Sequence, residues 1–249
     1  MKNVEALVAN HSHEVIKKRL AAPQKHNYVG DAVLGGIDGC ITTFAIVSSS
    51  VAAGLPNMAA LVLGLANITA DGFSMAISNY QAAKSRGELV ETLRKEEARH
   101  IKLIPEGERE EVRQIYANKG FSGELLEEVV AVITADEERW IDTMIREEHG
   151  LQTENPNPVM CGLTTFAAFL AIGILPLLPF MLTFLPAQHV FASSTGIAAL
   201  AFFGIGCAKG KLLGRPVWRN GFGTLLIGMI AAALAYAVGD LSKAVIGQF

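Results

Sequence analysis

The sequence is short of charge. Only 18% of its 249 residues are Asp, Glu, Lys or Arg, against 51% hydrophobic residues and a mean hydropathy of +0.34, and a water-soluble domain of this length carries more. Cysteine is scarce too. Cys40, Cys161 and Cys207 all fall in apolar stretches without paired metal spacing, which argues against a disulfide framework or a zinc site and leaves them as small packing residues. Residues 1–27 are polar and hold no apolar run, so they do not read as a secretory signal and the chain is expected to begin in the cytoplasm. A phosphate-binding glycine loop is missing, so ATP hydrolysis is not indicated, and no nucleic-acid partner is expected.

The apolar residues are gathered into windows at about 31–53, 57–83, 159–184, 189–208 and 218–240, each near the ~20 residues a bilayer crossing needs. Five spans follow, and the lipid bilayer is the first partner. Basic residues set the orientation. Lys2, Lys17, Lys18, Arg19 and Lys25 precede span one, the segment between spans two and three is rich in Lys and Arg, and Lys209, Lys211, Arg215 and Arg219 flank the turn between spans four and five. The alternate loops "GLPN" and "LPAQH" have none, and only Lys243 lies on the other side. The expected fold is an all-α integral membrane protein divided as 1–30 (cytoplasmic N-terminal segment), 31–85 (spans one and two), 86–158 (cytoplasmic helical metal-binding insert) and 159–249 (spans three to five).

Between Arg86 and Glu154 the composition inverts: 18 acidic residues face 10 Lys and Arg, a net charge of −8. Span two continues without a breaker through "KSRGELVETLRKEEARHIKL", which predicts one long helix leaving the membrane with only Gly87 to weaken it. Pro105 suits the first turn of a second helix ending near Gly120, Ser122 a cap for a third, and "TADE" at 134–137 a capping box for a fourth that stops at Gly150. The run "TENPNP" leads back to span three. A charged helical surface is ordinarily a solvated face, but the spacing allows a second reading. Glu97 and His100, Glu108 and Glu111, and Met144 and Glu148 are three or four apart, so each pair shares a helix face, with Asp142 near the last. Carboxylates, an imidazole and a thioether suit Fe2+ or Mn2+ better than Ca2+ or Mg2+.

Within the membrane windows two carboxylates stand out. Asp38 sits in "GGIDGCITTFAIVSSS", where a charge is expensive unless it faces a polar cavity or the interface; Gly35, Gly36 and Gly39 permit close helix approach or local unwinding. In span two, Asn67, Asp71, Met75 and Asn79 recur every four residues with Ser78 beside them, a polar stripe on an otherwise apolar helix. Asp38, Asp71 and Met75 together offer hard and soft donors for a divalent cation in transit. Pro176 and Pro179 are expected to kink span three. His11, His13 and Glu14 read as part of a polar tail, and His189 as a turn residue.

The stretches "GGIDGCITTFAIVSSSVAAG", "ADGFSMAISNYQAAKS" and "NPVMCGLTTFAAFLAIGILPLLPF" resemble the first three spans of the vacuolar iron transporter family, and the likeness runs from about Tyr28 through "AAALAYAVG" in span five. The resemblance implies a homodimer with its path at the subunit interface, moving Fe2+, and also Mn2+ or other divalent ions, out of the cytosol in exchange for protons. It implies that Asp38 and Met75 line the path and that Glu97, Glu108, Glu111, Met144 and Glu148 are insert ligands, with Asp142 a weaker match. His100 stands where plant members have glutamate. Asn67 stands where a glutamate is expected in span two, so that either Asp71, one turn on, takes its place or the proton coupling differs from the family's.

The expected function is therefore proton-coupled export of Fe2+ or related ions (Mn2+, Zn2+, Co2+), with no permanent cofactor and no enzymatic activity. Two other readings remain. "EARH" supplies one Glu-x-x-His of the kind found in di-iron ferroxidases, and the spans could merely anchor a metal sensor or store. The lack of a long N-terminal region favours a bacterial inner membrane over a vacuolar one.

Overall fold

The computed structural model describes residues 4, 8–21, 26–152, 156–182 and 185–246. Lys2, Lys25, positions 153–155 of the expected linker and the end of span three at 184 lie outside them. Among the described residues every regular element is helical. Following a short α1 (His13–Ala21), the elements are α2 (Val29–Ala52), α3 (Asn57–Leu103), α4 (Pro105–Asn118), α5 (Gly123–Thr134), α6 (Glu137–Glu147), α7 (Pro158–Gly173), a 3-10 turn (Leu175–Leu177), α8 (Leu178–Met181), α9 (Ala187–Leu212) and α10 (Val217–Ile246). Five segments are long and apolar enough to cross a membrane: α2, α3, α7 with α8, α9 and α10. The protein is a multi-pass integral membrane protein of the all-α class.

Helix α3 dominates the shape. Its 47 residues make a rod of about 70 Å, continuous because no proline falls between Pro56 and Pro105 and because its three glycines, Gly64, Gly72 and Gly87, cost only ~1 kcal/mol each. It ends at Leu103, just before Pro105, which cannot continue an α-helix but suits the first turn of α4. Helix α2 is the hub of the membrane part and packs on α3, α7, α9 and α10. Here the glycines of span one resolve into close approach rather than unwinding. A Cβ on Gly35 would stand 2.1 Å from the Thr165 carbonyl oxygen, and one on Gly39 would stand 2.6 Å from that of Phe169, so α2 and α7 touch backbone to backbone. Apolar side chains left exposed on the spans, such as Leu63, Phe73, Leu200, Leu226 and Leu234, give this core an apolar outer surface of the kind a bilayer requires.

Span three is broken, not merely bent. Helix α7 stops at Gly173, the chain turns through Leu175–Leu177 and α8 resumes, as two prolines without N–H groups require. The Ser194 hydroxyl of α9 donates to the Pro176 carbonyl at 2.6 Å, satisfying backbone that lipid could not. Ser194→Ala is expected to lower stability by about 1 kcal/mol, read as a lower thermal midpoint in detergent without loss of helicity.

Outside the membrane, α4, α5 and α6 fold against the end of α3 around Val112, Leu126, Val130, Ile133, Trp140 and Met144. One expectation is corrected here. The box "TADE" is not capped by Thr134, which closes α5; α6 is capped by Asp136, whose side chain accepts from Arg139 N at 2.8 Å. Asp136 has the extended backbone an N-cap needs. Ser122 occupies the N-cap of α5 without a side-chain bond.

Candidate metal centre

Three helix ends converge to build the site. The last turns of α3 carry Glu97 and His100, the first turn of α4 carries Glu108 with Glu111 a turn later, and the residues just past α6 are Glu148 and His149. Helix α6 is pinned onto α3 by Arg94, which pairs with both Glu138 and Asp142. Glu97 is the shared member. Its Oε1 lies 2.9 Å from His149 Nε2. Glu97, Glu148 and His149 each offer a donor atom within 4.8 Å of the others, as do Glu97, His100 and Glu108. His100 Nδ1 stands 3.5 Å from Glu108 Oε1.

The electrostatics are those of a cation site. Glu97 and Glu108 are 3% and 2% exposed, and each keeps one buried carboxylate oxygen without a hydrogen-bond partner, which a folded protein ordinarily avoids. Burial first, then the charges of Glu111 and Glu97, push the Glu108 carboxyl up to about 7. Glu148 is also raised, by burial and by Glu97 and Glu111. Near neutral pH a proton therefore competes at Glu108 with a divalent ion, which would neutralise the group more completely. Carboxylates and imidazoles of this mix fit ions of intermediate softness.

Not every expected ligand joins the group. Asp142 is turned to Arg94, because it lies six residues before Glu148, roughly 120° around the helix. Met144 is fully buried in the apolar core of the insert, and Glu111 is exposed at the rim. His149 was not anticipated; it follows α6, where His149 N bonds to Met144 O at 3.2 Å before Gly150 turns the chain with φ +66°. Its only signal in the sequence was its place beside Glu148. Asp142→Asn is expected to leave Mn2+ affinity of the full-length protein within about threefold, whereas Glu97→Gln should lower it by more than the 10- to 100-fold typical of outer-shell changes; isothermal titration separates them.

In the membrane, Asp38 is half-buried on α2 and Asp71 exposed on α3, close enough for their charges to act on each other. Asn67 donates to Thr42 Oγ1 at 3.3 Å, and Thr42 donates to the Asp38 carbonyl at 3.0 Å. Met75 is half-buried. Asn79, the last of the stripe, turns away and donates to Asp31 Oδ1 and Thr165 Oγ1, both at 2.7 Å. A spacing of four drifts ~40° per step on a 3.6-residue helix, so the stripe winds from one neighbour to the next. Cys161 is buried, as a packing residue would be, and its sulfur also lies within 4.8 Å of donor atoms on His26 and Asp31.

The model of the VIT family matches residues 29–240. The chain belongs to the vacuolar iron transporter family. Named relatives include the vacuolar iron transporter of Toxoplasma gondii, 31% identical with 99% of this chain and 87% of that protein aligned. Vacuolar iron transporter 1 of Oryza sativa subsp. japonica is 30% identical over 92% and 90% of the two chains. Vacuolar iron transporter 1 of Arabidopsis thaliana is 33% identical over 84% of each. The match to the family model runs from the first membrane segment through the insert and into the fifth segment.

Proposed function

We propose that this vacuolar iron transporter family member moves Fe2+, and with it Mn2+ and similar divalent ions, out of the cytosol in exchange for protons, working as a homodimer with its insert on the cytoplasmic side. The observation that carries the reading is the continuity of α3, a single helix bearing Glu97 and His100 outside the membrane and Asp71 and Met75 within it. Glu97 and Asp71 are 26 residues apart, about 39 Å along the axis. A capture site and an intramembrane carboxylate are thus rigidly linked. Dimerisation is supported by Asp71 itself, exposed on a helix whose other exposed residues include Phe73 and Ile77. A carboxylate bare to lipid costs several kcal/mol, and a second copy would cover it.

Ions gathered at Glu97, Glu108, Glu148 and His149 would pass to Asp38, Asp71 and Met75, and protons arriving from the far side would compete for the same carboxylate lone pairs and release the metal. Met75 would weigh against Ca2+ and Mg2+. Liposomes containing the wild-type protein should take up Fe2+ while protons move the opposite way, followed with a ferrous-sensitive dye and an internal pH probe. Uptake without proton movement would remove the antiport. Oxygen consumption on adding Fe2+ without uptake would favour the ferroxidase reading instead.

A further inference from the structure

We propose that His26, Asp31 and Cys161 form a second metal site, for a divalent transition ion of borderline softness such as Zn2+, Fe2+ or Co2+, at the insert-proximal end of the membrane bundle. The three residues come from the segment before α2, the first turn of α2 and the first turn of α7. Their donor atoms lie within 4.8 Å of one another, and His26 Nε2 is 3.8 Å from Asp31 Oδ2. A tetrahedral ion with ligands at 2.0–2.3 Å needs donors roughly 3.3–3.8 Å apart, so closing on an ion requires shifts on the order of 1 Å. The fourth position is left for water or for an ion's onward ligand.

The donors are held from behind. Asn79 donates to Asp31 Oδ1 at 2.7 Å, which leaves Oδ2 facing His26. Asn79 is in turn fixed by the fully buried Thr165, whose hydroxyl donates to the Cys161 carbonyl at 2.9 Å. The His26 ring packs edge-on against Tyr28 with centroids 4.8 Å apart. A carboxylate oriented by an amide behind it is the arrangement by which outer residues set metal ligands. Cys161 is 1% exposed, and on ligation its thiol proton would leave to solvent, since the thiolate is the ligand. A thiolate, an imidazole and a carboxylate together disfavour Mg2+ and Ca2+.

Position gives the site a use, and that use rests on the transport reading. Asp31 and Asp38 are seven residues apart on α2, two turns and roughly 10 Å along one face. On the other side His26 lines a cavity of about 310 Å3 together with Arg86, Val90, Gly150, Leu151 and Gln152, the segment directly after His149. The site stands between the insert centre and Asp38 as a staging point, with Arg86 on the cavity wall.

Co2+ titration of the full-length protein in detergent tests the site without reference to transport. Wild type should develop a thiolate-to-cobalt charge-transfer band; Cys161→Ser should lose it, with one fewer Co2+ bound per chain, and His26→Ala should weaken it at least tenfold. Glu108→Gln should keep it. A wild type with no such band, or a band surviving Cys161→Ser while Cys40 and Cys207 remain, overturns the proposal. In liposomes His26→Ala should slow metal entry severalfold. Unchanged entry in that variant removes the staging role, and a wild type that transports nothing but shows the band removes the transport reading while leaving the site.

Discussion

Liposomes carrying Asp38→Ala should take up Fe2+ no faster than empty vesicles, while the same protein still binds Mn2+ at the insert with wild-type affinity. Asp38 is half-buried on the central helix of the bundle and its charge interacts with that of Asp71 on the neighbouring helix. Removing it deletes the ligand that lets an ion leave water at that depth, where an unpaired charge costs several kcal/mol. Loss of even 3–4 kcal/mol of stabilisation slows passage by two to three orders of magnitude. The insert is far along α3 and shares no partner with Asp38, so its binding is expected to be independent of the change. Asp38→Asn separates charge from shape: it keeps the volume and should also abolish proton-coupled flux. Residual transport above a tenth of wild type in Asp38→Ala would place the path elsewhere.

Several parts of this arrangement were legible in the residues and others were not. The spans, the long α3 and the helices of the insert follow from hydropathy, from the absence of proline between Pro56 and Pro105, and from Pro105 itself. Face-sharing at three and four residues grouped Glu97 with His100 and pointed to Glu108, because that periodicity is local. It failed where the partner came from another element. Asp142 has the right neighbours in sequence but points round the helix to Arg94, with Glu138 four residues earlier joining the same guanidinium. His149 lies past the end of α6, where helix periodicity no longer applies. His26, Asp31 and Cys161 meet only because α2 and α7 press together through Gly35 and Gly39, and more than 130 residues separate His26 from Cys161. Even the stripe in span two was half right: its drift sends Asn67 toward α2 while Asn79 engages residues of both α2 and α7.

Metal binding at the insert should rise steeply with pH from about 6 and level off above roughly 7.5, with Glu108→Gln both weak-binding and nearly flat. The carboxyl of Glu108 is raised from 4.5 to about 7 by burial and by its acidic neighbours. Below that value it carries a proton that a cation must displace, so each pH unit changes affinity about tenfold per proton released. Glu148, raised for related reasons, steepens the dependence. The sign for stability is opposite. A carboxyl whose folded value exceeds its unfolded one favours the fold below ~4.5, and that contribution is lost as pH climbs through ~7. The metal-free protein should therefore lose thermal stability across that window, by an amount on the order of a few kcal/mol at the insert, and regain it on adding Mn2+, because an ion bound only to the folded state stabilises by mass action. Glu108→Gln removes the buried charge, so without metal it should be more stable than wild type at pH 8 yet gain little from Mn2+. Thermal unfolding of the full-length protein in detergent at pH 5.5 and 8, with chelator or with Mn2+, reads all of these at once; a wild type equally stable at both pH values with chelator present would mean that Glu97 and Glu108 are not held together without a cation.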